Sequence, residues 1–143
     1  MLRMDKILLS EKRKEELTAL GVGVLYLYGS RAQGTARENS DYDVGVVFTD
    51  PTKADLDLDH HNALYDVLSA IFPDMVHGPK LDIAILQRAN AKLQIDAIQH
   101  GLVLFESNPH IRADYEESVI KRYDDYRFLQ REYENATFAA FGA

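Results

Sequence analysis

Leu27-Tyr28-Gly29-Ser30-Arg31-Ala32-Gln33-Gly34, then six further residues from Thr35 to Ser40 (a gap of ten between Ser30 and Asp41), then Asp41-Tyr42-Asp43: this stretch decides how the chain is read. Period-two geometry puts Asp41 and Asp43 on one side of an extended segment and Tyr42 on the other. Two carboxylates a few ångströms apart repel each other, so the arrangement is costly unless a cation or a proton intervenes. Mg²⁺ suits it, because this hard ion takes one or two carboxylates and completes its shell with phosphates and water. Gly29-Ser30 supplies a turn where backbone can approach phosphate closely. The two parts together predict a metal-dependent phosphate-handling site.

The flanking residues supply the scaffold. Val22 to Tyr28 is β-branched, aromatic and aliphatic, and reads as a strand. A short helix opening near Arg31 would aim its first amides at an anion, with Gly34 and Thr35 ending it. Asp41 to Phe48 reads as a second strand, and Arg37-Glu38-Asn39 as a polar loop before it. Upstream, Lys6 to Leu20 has helical spacing, with Leu9, Leu17 and Leu20 inward, and Gly21 and Gly23 close it. Downstream, Asp55 to Phe72 reads as a helix with Leu64, Leu68 and Ile71 as its stripe, supported by Tyr65 and Phe72. Pro73 to Lys80 reads as a loop, Leu81 to Leu86 as a third strand, and Ala89 to His100 as a helix stopped by Gly101. Leu102 to Phe105 is a short fourth strand, and Ile111 to about Phe138 one long helix. The expected architecture is α/β (α+β): a small mixed sheet with helices packed on one side and a long C-terminal helix.

Composition bounds the function. The 143 residues are 46% hydrophobic, which suits one domain over 1–143, with a catalytic core at about 22–105 and the helix at about 110–138. A net charge of −7 argues against a general nucleic-acid binder, which needs a basic track along phosphates. With no cysteine there is no disulfide framework and no thiol chemistry. No apolar run is long enough to span a bilayer, and the charged N-terminus lacks a signal-peptide pattern, so a cytoplasmic protein is expected.

Gly29-Ser30-Arg31-Ala32-Gln33-Gly34 with Asp41-x-Asp43 resembles the signature of the DNA polymerase β-like nucleotidyltransferase superfamily. The short length points to its minimal nucleotidyltransferase (MNT) members, of which many resemble antitoxins paired with HEPN-domain toxins. The resemblance covers residues 24 to 48, and the strand Leu81-Asp82-Ile83-Ala84-Ile85-Leu86 extends it. It implies a polymerase β-like fold and the catalytic, metal-binding set Asp41, Asp43 and Asp82, the last from a neighbouring strand. Asp41 and Asp43 would bridge two Mg²⁺ ions. Asp82 would either complete the ion that activates the attacking hydroxyl or accept its proton. Gly29 and Ser30 would bind the triphosphate of ATP. Arg31 either adds a charge-assisted contact there or faces solvent.

The implied activity is transfer of AMP from ATP to a hydroxyl, with a tyrosine of a partner HEPN ribonuclease as the expected acceptor and antitoxin action as the result. Two other readings stand beside it: transfer to a small molecule, as in aminoglycoside-modifying relatives, and a catalytically silent antitoxin that only covers its toxin. The clustered carboxylates count against the silent reading, because a chain that only binds has no physical need for them.

Other features read as ordinary. Asp55-Leu56-Asp57-Leu58-Asp59 with Asp66 lacks the glycine and glutamate of a calcium loop, and early helical acids complement the helix dipole. His60, His61, His77, His100 and His110 show no zinc spacing, and Arg88 reads as a solvated strand end. Tyr115, Val119, Tyr123, Tyr126 and Tyr133 form a stripe along the last helix that either covers the chain's own sheet or docks a partner.

Overall fold

The computed structural model describes residues 9–37, 40–55, 57–72 and 80–141. Helix α1 (Glu11–Ala19) leads into strand β1 (Val22–Tyr28), the short helix α2 (Ser30–Gln33) and strand β2 (Tyr42–Phe48). A 3-10 turn at Pro51–Ala54 precedes helix α3 (Leu58–Ile71), and strand β3 (Leu81–Ile85) precedes a second turn at Leu86–Arg88. Helix α4 (Ala91–His100), strand β4 (Leu102–Glu106) and helix α5 (Pro109–Phe141) complete the chain.

The strands form one mixed sheet in the order β3-β2-β1-β4. β1 is antiparallel to both β2 and β4, whereas β2 and β3 run parallel. A parallel pair needs a crossover, and α3 lies in it. Every residue of β1 is buried, so the central strand is covered on both faces. Leu25, Leu27, Val44 and Val46 pack with Leu17 of α1 and Leu64 and Leu68 of α3. On the opposite face Val24, Tyr26 and Tyr28 pack with Ile95 and Ala97 of α4 and Tyr115 and Val119 of α5.

That two-sided cover corrects one detail, the expectation of helices on one side. A strand apolar on both faces, such as Val22–Tyr28, calls for a layer on each. Element ends also move to where the caps are. Ser10 Oγ accepts from Arg13 N at 3.3 Å, so α1 opens at Glu11, and Lys6 lies outside the described residues. Asp57 caps α3 by accepting from His60 N at 2.8 Å, and Asn90 caps α4 by accepting from Leu93 N at 2.8 Å. Residues 38–39 of the polar loop and 73–79 of the later loop also lie outside the description. Of the residues assigned to the α3 stripe, Phe72 is buried with Leu64 and Leu68, but Tyr65 is exposed.

The C-terminal tyrosine stripe covers the chain's own sheet over its first part only. Tyr115 and Val119 are buried, Tyr123 packs partly against them, and Tyr126 and Tyr133 are exposed.

Candidate active site

Strand register assembles the site. Asp43 pairs with Tyr28 across β2–β1 and with Asp82 across β2–β3, so these three side chains share one face of three adjacent strands. Asp41, two residues earlier, has the same parity and lies just before the strand begins. Its Oδ1 accepts from Lys80 N at 3.2 Å, which ties it to the start of β3. The three predicted carboxylates are thus brought to one end of the parallel pair: Asp43 half-buried at the centre, Asp41 and Asp82 exposed on either side.

Gly29 sits directly beneath this group with φ +72°. A Cβ there would strike Asp43 Oδ2 and stand 3.2 Å from Asp43 Cγ, so backbone and carboxylate meet at a distance only glycine permits. Ser30 opens α2 straight from this turn, and Gly34, at φ +76°, closes it. Arg31 points toward β2: its Nε and Nη2 donate to Ser40 O at 3.2 and 2.7 Å. Its guanidinium also lies 4.4 Å from the centroid of the Tyr42 ring. The arginine therefore straps α2 to the chain entering β2, holding the Gly29 turn beside Asp43.

The electrostatics follow from that crowding. Burial raises the Asp43 carboxyl above the ordinary carboxylate range, and Asp82 and Asp41 raise it further. Tyr28, which sequence reasoning passed over, is pushed up to about 12 by burial, then by Asp43, Asp82 and Asp96. Its parity on β1 could have been read, but its pairing with Asp43 could not. Asp96, on α4, was missed because nothing local marks which helix faces the site.

Among the described residues, no three His, Cys, Asp or Glu side chains converge tightly enough to cage an ion by themselves. Mg²⁺ does not ask for such a cage: one or two carboxylates with substrate phosphates and water suffice. The donor set fits it, since Asp43 carries mutual repulsion from two carboxylates that a divalent cation would relieve.

The remaining candidates lie apart from this group. Arg88 pairs with Asp55, and His60 Nδ1 is 3.9 Å from Asp57 Oδ1 at the start of α3. His61, His100 and His110 are exposed, and His77 is outside the described residues. No helix among the described residues is long and apolar enough to cross a membrane.

A strand–turn–helix thus presents Gly29 and Ser30 to an Asp-x-Asp strand, with a third carboxylate on the parallel neighbour. The Polymerase beta, Nucleotidyltransferase family model matches residues 11–110, and the chain belongs to that family. None of the curated proteins compared matches it. Among solved structures, a toxin–antitoxin with AMP-PNP is similar at TM-score 0.63 and 22% identity, covering 91% of this chain and 99% of the other. A mutant of the MntA–HpeT toxin–antitoxin, with two aspartates two positions apart changed to glutamate, is similar at TM-score 0.63 and 20% identity, covering 96% and 99%. A tri-AMPylated Shewanella oneidensis HEPN toxin in complex with MNT antitoxin is similar at TM-score 0.51 and 21% identity, covering 93% and 98%.

Proposed function

We propose that this chain is a Mg²⁺-dependent adenylyltransferase that moves AMP from ATP to a tyrosine hydroxyl of a HEPN-domain toxin and so acts as its antitoxin. The observation that carries the reading is the register that sets Asp43 beside Asp82 above a glycine with no room for a side chain. The similar structures add support: one holds AMP-PNP, and one contains an AMPylated HEPN toxin beside an MNT antitoxin.

In the reaction, the acceptor oxygen attacks the α-phosphorus of ATP, the bond to the bridging oxygen breaks, and pyrophosphate leaves with that electron pair. Mg²⁺ held by Asp41, Asp43 and Asp82 would lower the pKa of the attacking hydroxyl and neutralise charge on the leaving oxygens. Asp82, exposed at the edge of the group, would either complete the ion that activates the hydroxyl or take the hydroxyl proton itself. Gly29 admits the phosphates to the backbone, and Ser30 offers its amide and hydroxyl to the β or γ phosphate. Arg31, strapped to Ser40 O, acts first by holding that turn in place.

The test is incubation with α-labelled ATP, Mg²⁺ and a lysate of the source cells, beside an Asp41→Asn/Asp43→Asn variant. Label on one protein band, absent with the variant, is the expected result and identifies the acceptor. Label only on small molecules would move the reading to a small-molecule transferase. No label at all would leave a binding antitoxin.

A further inference from the structure

Tyr26, Tyr28 and Tyr115 are buried on the face of the sheet that α4 and α5 cover. Two of them satisfy their hydroxyls inside the fold, Tyr26 on Glu116 and Tyr115 on Gln94, each at 2.8 Å. Tyr28 does not. It is 8% exposed, yet among the described residues it makes no hydrogen bond. A buried tyrosine usually finds a partner for its hydroxyl, and phenylalanine would fill the same space without needing one. The oxygen is not sealed in the core. It lies among carboxylates, with Asp43, Asp82 and Asp96 all acting on it. Asp96, half-buried on α4, likewise has no hydrogen bond or ion pair among the described residues. Helix α4 comes down over the end of β1 that leads into Gly29: a Cβ on Gly101, the residue after the helix, would stand 3.0 Å from Leu27 O.

We propose that Tyr28 and Asp96 hold the ribose hydroxyls of the bound nucleotide and so select a ribonucleotide over its deoxy counterpart. The inference rests on the nucleotidyl-transfer reading above and says which side of that site takes the sugar. The chemistry of the pair comes first. A phenol hydroxyl donates, and a carboxylate accepts. A cation has no use for the donor, and a phosphate is repelled by Asp96. A sugar diol, neutral and able both to give and to take a hydrogen bond, matches both groups. Position comes second. In the transition state the α-phosphorus carries the attacking oxygen, the leaving oxygen and the 5′ oxygen of the sugar. On that reading Gly29 and Ser30 take the leaving pyrophosphate, and Asp82, on β3, serves the attacking hydroxyl. Tyr28 stands on β1, across Asp43 from Asp82, and that side is left for the sugar. Distance comes third. Tyr28 pairs directly with Asp43, where the metal would meet the α-phosphate. The sugar follows that phosphate by one oxygen and one carbon, whereas the base lies a whole ring further out.

Calorimetric titration of ATP and of 2′,3′-dideoxy-ATP, each with Mg²⁺, into the purified full chain tests this without an acceptor. The wild type should bind ATP about tenfold tighter or more, since a deoxy sugar leaves the hydroxyl and the carboxylate unpaired. Tyr28→Phe and Asp96→Ala should each bring that ratio down toward one by weakening ATP. Tyr28→Phe removes only a hydroxyl that bonds nothing in the fold, so a thermal melt should show it at least as stable as the wild type. A role confined to the fold would instead lower its melting temperature and leave the ratio alone. A wild type that binds the two nucleotides equally overturns the proposal, and so does a ratio untouched in both variants. A loss shared equally by both nucleotides overturns it as well, by placing the pair away from the sugar. A wild type that binds neither nucleotide fails earlier, at the nucleotidyl-transfer reading, and takes this inference with it.

Discussion

Asp43 bears the cost of the site in the metal-free protein. Its carboxyl is raised by burial and by Asp82 and Asp41, so the folded state holds a proton more tightly than the unfolded chain does. The penalty is absent below the unfolded carboxylate pKa and grows as pH rises through the folded value. Asp43→Asn should therefore raise the metal-free melting temperature at neutral pH, and the gain should vanish in acid; thermal melts at the two pH values check this. The same substitution should lower nucleotidyl transfer by on the order of a hundredfold or more, because metal-assisted charge stabilisation is worth several kcal/mol. Gly29→Ala faces both a positive φ and the Asp43 carboxylate. It should cost about 1–2 kcal/mol or more in a denaturant titration and impair transfer as well. The placement of Gly29, Ser30, Asp41 and Asp43 beside one another was legible because they lie in one local motif. Tyr28 and Asp96 were not, since each reaches the site through tertiary pairing that no sequence period records.

The elements followed from local pattern, and their ends from capping chemistry. Val22–Tyr28 and Asp41–Phe48 read as strands because they are largely apolar and β-branched, and the structure keeps both, the second from Tyr42. The layer on the second face was not legible, because an all-apolar strand does not say which helix covers which side. That layer is fixed by polar links: Tyr115 Oη donates to Gln94 Oε1 at 2.8 Å, and Gln94 Nε2 donates to Ala89 O at 2.8 Å. Tyr26 Oη donates to Glu116 at 2.8 Å, and Arg112 pairs with Glu106, tying α5 to β1 and β4. Tyr115→Phe would strand the buried Gln94 acceptor and should cost about 1–3 kcal/mol, read as a lower denaturation midpoint with unchanged slope.

At the scale of the molecule, the carboxylates occupy one end of β1 and β2, and α5 begins at the other, so the start of that helix and the carboxylate group lie apart. Truncation tests the division. Ending the chain after Tyr123 should leave the sheet folded, since Tyr115 and Val119 remain, whereas ending it before Pro109 should unfold it by uncovering Val24 and Tyr26. Circular dichroism with a thermal melt distinguishes the two. The family places nucleotidyl transfer in this chain, and the carboxylate group is where that claim stands or falls. The most direct measurement is calorimetric titration of AMP-PNP into the wild type and into Asp41→Asn/Asp43→Asn, each with and without Mg²⁺. Binding that strengthens with Mg²⁺ in the wild type, and loses that dependence in the variant, is the expected result. Equal Mg²⁺ dependence in both proteins would contradict the assignment.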